Sequence, residues 1–176
     1  EYLFTYPINP IIEAAAAVDI RPVPVRQERV GLHMADAFSR TTAGEEIGVF
    51  CMQFGPGAEN AFPGVAQAYG DSVPLVVLPM GYERSKTEVD PNFDASDNYG
   101  EVTKTCEQVT DPQEAVNDVR RAFNSARNGR PRPALVEFPM DVFDEEVGDV
   151  EYSPPTENRP APDPRRVPEV VDALLD

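Results

Sequence analysis

The feature that most constrains this chain is a pair of apolar runs, Ile47–Phe54 and Pro74–Met80, separated by a stretch with helical periodicity. A strand that faces water on one side alternates apolar and polar residues, whereas a continuous run belongs to a strand covered on both faces. The same alternation of runs and helical stretches extends along most of the chain. Strands are predicted at Tyr2–Tyr6, Val23–Val25, Val102–Cys106 and Ala134–Phe138 as well. Helices are predicted at Pro10–Val18, after Glu28, and at Ala58–Tyr69. A further helix follows Asp111, a good N-cap with Pro112 at the first helical position, and ends at Gly129. Strands alternating with helices predict an α/β fold, with a parallel sheet of about six strands and helices on both faces.

The domain limits follow from texture. Residues 1–150 read as one domain, large enough for a real core. Residues 151–166 are Pro-rich and poor in apolar side chains, so they read as a linker. Residues 167–176 begin an amphipathic helix that stops at Asp176 and reads as the truncated start of a further domain. Gly81–Tyr99 is polar and punctuated by Gly81 and Pro91, which predicts a long, functional loop.

Composition excludes several functions. The formal charge is −16, from 31 acids against 15 bases, which disfavours free nucleic acid as a partner. No apolar stretch reaches the length of a membrane span, and there is no secretory signal pattern, so the expected location is cytoplasmic. The bases are almost all Arg, with Lys only at 86 and 104, and this suggests adaptation to high salt. On that reading the melting temperature rises markedly from dilute buffer to about 1 M KCl, where the Debye length is roughly 3 Å. A flat profile would remove the halophilic reading. With a single His and two distant cysteines, no metal-ligand spacing is present and no metal site is expected.

Motifs narrow the chemistry further. Gly55-Pro56-Gly57 follows a buried strand and opens a helix, where α/β folds bind ligands. The dinucleotide fingerprint is not met, because Asn60 occupies the third glycine position. There is no P-loop and no G-x-S-x-G. Glu28 stands at a strand-to-helix junction. An acid in a first helical turn favours the macrodipole and needs no other purpose. In the helix behind it, Val30, Met34, Ala37 and Phe38 form the predicted apolar face, and Gly31, Ala35 and Ser39 suit close packing.

Taken together, FTYPINP (Phe4–Pro10), Arg26-x-Glu28, Gly31-x-x-Met34-Ala35, Gly55-Pro56-Gly57-x-x-Asn60, Ala68-x-x-Asp71-x-x-Pro74-Leu75 and NGRPRPALVEFPMDV (Asn128–Val142) are informative. They resemble, in order, the N-terminal pyrimidine-binding domain of thiamine-diphosphate-dependent enzymes of the acetolactate synthase and pyruvate oxidase type. The resemblance covers roughly Tyr2 to Asp144. It implies the thiamine-diphosphate-binding fold of the pyrimidine type and decarboxylation or carboligation of a small 2-oxo acid.

Glu28 then matches the residue that hydrogen-bonds N1′ of the cofactor's aminopyrimidine, favouring the 4′-imino tautomer that takes the proton from thiazolium C2. Pro7, Gly55, Pro56 and Asn60 match positions near that ring. Gln53 and Phe54 stand where acetolactate synthases carry Thr-Ser, and Phe93-Asp94-Ala95 where they carry Phe-Gln-Glu, so Gln53, Phe54, Phe93 and Asp94 are the candidates for substrate contact. The diphosphate and Mg²⁺ are held in the family by a C-terminal domain whose G-D-G…N motif does not occur here. The resemblance therefore implies half of an active site, completed by the pyrophosphate-binding domain of a neighbouring subunit in a homodimer or homotetramer. The fragment alone is expected to be inactive. The rival reading is a non-catalytic relative that keeps the fold as an assembly or regulatory module.

Overall fold

Apolar runs become strands and periodic stretches become helices in the computed structural model, which describes all residues except Glu88, Glu157, Arg159 and Pro160, and the side chain of Asn9. In chain order the main elements are β1 (Tyr2–Thr5), α1 (Asn9–Ala17), β2 (Arg21–Pro24), α2 (Glu28–Thr41), β3 (Gly48–Met52) and α3 (Pro56–Asp71). They continue with β4 (Leu75–Gly81), α4 (Ala95–Asn98), β5 (Thr105–Gln108), α5 (Ala115–Arg127), β6 (Ala134–Pro139) and α6 (Val167–Leu175). The six strands form one sheet in the order β2-β1-β3-β4-β6-β5, and every pairing is parallel.

Alternation along β3 divides the core. Phe50 and Met52 join Leu75, Val77 and Leu135 on the face covered by α2 and α3, with Leu32, Ala35, Ala61 and Val65. Cys51 points the other way, toward Leu3, Ile8 and Ala15 of the α1 side. Val76, Ala134 and Val136 meet Ala122 and Ala126 of α5 on that second face.

Edge strand β2 lies slightly earlier than the predicted Val23–Val25. Its Arg21 and the following Val25 donate backbone N–H groups to Glu1 and Thr5 of the β1 side. Pro22 and Pro24 alternate with those donors, so their missing N–H groups fall on the outer edge. Prolines are tolerated there and block further strand pairing.

Two other expectations are corrected. Val30 and Met34 of α2 point outward, 48% and 36% exposed, and Ala37 is exposed too. The buried face carries Gly31, Leu32, Ala35 and Ser39 instead. The reason is the short distance between α2 and β3: a Cβ on Gly31 would meet the Phe50 ring at 2.3 Å and one on Gly48 the Ala35 carbonyl at 2.1 Å, so only small side chains face β3, while Leu32 packs on Gly64 of α3. Phe38 is the member of the predicted face that packs inward, edge-on to Phe4 with ring centroids 6.0 Å apart. The stretch 81–99 is also more ordered than a loop. It holds a 3₁₀ turn at Arg84–Lys86 and helix α4, and it ends at the fully buried Tyr99. Asp111 does cap, accepting the Gln113 N–H at 3.0 Å, but it opens a 3₁₀ turn at Pro112–Glu114 before α5 begins.

Burial of β3 has a consequence for alkaline stability. Desolvation pushes the Cys51 thiol from its ordinary 9.0 up to about 12. The unfolded chain loses that proton above pH 9, while the folded chain keeps it. Stability is therefore complete below pH 9 and is lost progressively as pH rises toward 12, with a slope of roughly 1.4 kcal/mol per pH unit for this one group. Denaturant titrations at rising pH are expected to show the decline, and Cys51→Ala to make it shallower by about that slope. An identical slope in the variant would show that another group carries it.

Candidate active site

The strand order reverses between β1 and β3: from β1 the chain moves outward to β2, and from β3 it moves the other way to β4. Loops leaving the carboxyl ends of strands at such a switch point diverge and open a crevice. Pro7 lies in the exposed loop after β1, and Gln53, Phe54 and Gly55 lie in the loop after β3. Glu28 enters from the neighbouring β2–α2 junction as the first residue of α2.

Glu28 is 9% exposed, low for a carboxylic acid. Its Oε2 accepts a hydrogen bond of 2.6 Å from Nδ2 of Asn60 in the second turn of α3. Among the described residues no donor is paired with Oε1. A Cβ added to Gly57 would lie 3.4 Å from that Oε1, so the glycine keeps the space beside the oxygen clear. Asn60 thus orients one carboxyl oxygen and leaves the other, beside Gly57, without a donor among the described residues, an arrangement that can bind a polar group of a ligand.

The turn that presents α3 is shaped by Gly55. Its backbone is at φ 54° and ψ −115°, a region essentially closed to L side chains. A Cβ there would also lie 2.5 Å from the Tyr82 hydroxyl. Tyr82 packs its ring on Phe54 at a centroid distance of 4.7 Å, so the loops after β3 and β4 brace one another. Pro56, at the first position of α3, is exposed and lacks the N–H that would be unsatisfied there anyway.

Phe93 and Asp94 belong to a second cluster beside α3, whose Glu59 is next in the chain to Asn60. Phe93 meets Tyr99 edge-on at 6.4 Å and, with Glu59, Phe62, Pro63 and Asn98, lines a groove of about 310 Å³. Asp94 is buried, and its carbonyl accepts from the backbone N–H and side-chain amide of Asn98. The Tyr99 hydroxyl donates to the carbonyl of Ala58 at 2.5 Å, which ties this cluster to the first turn of α3.

Of the residues singled out in the sequence, the structure brings Glu28 and Asn60 into direct contact, with Gly57 beside them and Gly55 in the turn ahead. Sequence reasoning missed Tyr82, Tyr99 and the direct Asn60–Glu28 bond, which spans 32 residues of sequence. The aromatic residue right after Gly81 at a strand end was the available signal for Tyr82.

Comparison with known proteins bears on this geometry. Residues 1–111 match the family described as "Thiamine pyrophosphate enzyme, N-terminal TPP binding domain". The acetolactate synthase large subunit of Parasynechococcus marenigrum is 35% identical over 162 residues, covering 86% of this chain and 26% of that protein. Acetolactate synthase isozyme 3 large subunit of Escherichia coli is 36% identical over 148 residues, covering 80% and 25%. The chain therefore spans about a quarter of the length of these relatives. Benzoylformate decarboxylase from Polynucleobacter necessarius superposes with a TM-score of 0.84 at 18% identity, over 98% of this chain and 33% of that one, a likeness of fold.

Proposed function

The chain belongs to the thiamine pyrophosphate enzymes, as their N-terminal TPP-binding domain, and from that premise we propose that it provides the aminopyrimidine half of the active site in an enzyme that decarboxylates or carboligates a 2-oxo acid. The observation that carries the proposal is Glu28: buried, oriented by Asn60 through Oε2, and open at Oε1 beside Gly57.

These residues fit the pyrimidine end of thiamine diphosphate. Glu28 Oε1 offers a carboxyl oxygen to a ring nitrogen, and a carboxyl group both accepts and returns a proton. Asn60 keeps Glu28 from turning away. Gly55 and Pro56 shape the turn from which α3 would approach a flat ring, and Pro7 would flank it from the loop after β1. When bound, thiamine diphosphate supplies an electron sink for the negative charge left on the substrate carbon. The part of this chain is to hold a proton at Glu28, to orient that carboxyl and to flank the crevice with Gln53 and Phe54.

The diphosphate and Mg²⁺ are assigned to the pyrophosphate-binding domain of a neighbouring subunit, in a homodimer or homotetramer. Among the described residues no group of three or more His, Cys, Asp and Glu side chains is placed to hold a metal ion. The exposed Val30 and Met34 on α2 supply apolar surface of the kind a partner subunit covers. No helix of the described residues is long and apolar enough to cross a membrane.

The test is turnover by the full-length enzyme with pyruvate, 2-oxobutyrate and benzoylformate. Activity on at least one is expected, lost on removing thiamine diphosphate and Mg²⁺ and restored when both return. No turnover of any, in protein shown to bind the cofactor, would favour the non-catalytic assembly reading.

A further inference from the structure

Glu137 lies in β6 in a run of buried residues and is itself only 1% exposed. A buried carboxyl group in a central strand demands partners, and it finds them in α4. Its Oε1 accepts the backbone N–H of Ala95 at 2.9 Å, and its Oε2 accepts that of Ser96 at 2.9 Å. Gln108 of β5 adds a bond of 3.3 Å to Oε2. The channel is tight: a Cβ on Gly81 would lie 2.9 Å from Glu137 Cγ.

Helix α4 has four residues, far too few to form unaided. Its place is set from outside. Glu137 holds its first turn. At its other end, buried Tyr99 donates its hydroxyl to Ala58 at 2.5 Å and packs edge-on against Phe62 of α3, with centroids 5.0 Å apart. Thr103 Oγ1 donates to the Tyr99 carbonyl at 2.8 Å. Beneath the helix, Cys106 Sγ reaches the Ser96 carbonyl at 3.2 Å.

We infer that Glu137 is a positioning residue, which with Tyr99 fastens α4 so that Phe93 and Asp94, immediately ahead of it, are held against α3 at the groove lined by Glu59, Phe62 and Pro63. This rests on the proposed function for what the groove takes: the side chain of the 2-oxo acid. Glu137 acts through α4 and touches no reacting atom. Its two parallel acceptor bonds require a carboxyl group, because an amide would set an N–H₂ against one of the two backbone N–H donors.

Cys106 reports on the fastening, since it is sheltered by α4, whereas Cys51 lies in the sheet interior and reports on the whole fold. Holoenzyme carrying Glu137→Gln is labelled with iodoacetamide and read peptide by peptide. Expected is a tenfold or greater acceleration at Cys106 with Cys51 still silent. KM is expected to rise about tenfold for whichever of pyruvate, 2-oxobutyrate and benzoylformate the parent uses, with kcat within twofold and cofactor affinity unchanged. Tyr99→Phe, which spares Glu137, is expected to move both readouts the same way but less.

An unchanged Cys106 rate would overturn the inference, as would faster labelling with an unchanged KM. If Cys51 is exposed together with Cys106 in both variants, α4 is not separately fastened and the inference fails. If the parent turns over none of the three acids, the functional reading falls and the role toward substrate with it, while the labelling result still decides whether Glu137 holds α4.

Discussion

Glu28→Gln in the full-length enzyme is expected to lower turnover by about 10²–10⁴-fold, the range for a lost general acid–base group, while cofactor binding survives. Gln keeps the length of the side chain and an oxygen that Asn60 can hold in the Oε2 position. What it removes is the ability to take up and return a proton at the other position. Affinity is expected to persist because the diphosphate and metal contacts are assigned to another domain. The discriminating measurement is hydrogen–deuterium exchange at C2 of bound thiamine diphosphate, which should slow together with turnover. Unchanged exchange and turnover would leave Glu28 as a first-turn acid that merely favours the α2 dipole. Circular dichroism and cofactor titration on the variant confirm that a folded, loaded protein is being compared. Asn60→Ala should show a weaker form of the same defect, since it frees the carboxyl group to rotate without altering its chemistry.

Gly48→Ala is expected to be the most damaging single change to the fold. A Cβ at Gly48 would lie 2.1 Å from the Ala35 carbonyl oxygen, 2.7 Å from its carbonyl carbon and 2.9 Å from its Cα. All three atoms are backbone, so no rotamer change relieves the clash. Either α2 lifts from β3 or the strand bends. Lifting α2 would also break the bonds that Ser39 makes nearby, donating to the Pro74 carbonyl at 2.7 Å and accepting from the Gly48 N–H at 2.8 Å. A loss of about 3 kcal/mol or more is expected, at or beyond the upper end for overpacking. For a chain of this size that lowers the melting temperature by roughly 6–12 °C. Gly70→Ala is the control. Nothing lies within 4 Å of a Cβ there, and it sits late in α3, so a gain of roughly 0.5–1 kcal/mol is expected from helix propensity. If the two variants melt alike, the close approach of α2 to β3 is not rigid.

Sequence by itself determined the α/β class and the parallel sheet, because a strand buried on both faces must be apolar throughout and a helix on a sheet must repeat near 3.6 residues. Ile47–Phe54 and Pro74–Met80 carry that signal locally: β3 formed inside the first, and β4 fills the second from Leu75 and runs on to Gly81. Glu28, Gly55 and Asn60 were singled out by the resemblance of their motifs to a known family, since by local chemistry alone an acid in a first helical turn and a glycine in a turn need no further purpose.

The packing face of α2 was not legible. Periodicity favours Val30 and Met34, the larger apolar residues, and the tertiary structure chose Gly31 and Ala35 because β3 passes too close for anything larger. Nor could the sequence show that Glu137 meets the amides of Ala95 and Ser96, about 40 residues away, or that Asn60 meets Glu28 across 32. Helix α4 has too few residues to announce itself by period, and it exists because Glu137 and Tyr99 hold its ends. Local pattern reports which residues leave water. Which residues they then meet depends on how closely elements distant in the chain approach one another, and that distance is set by the whole fold.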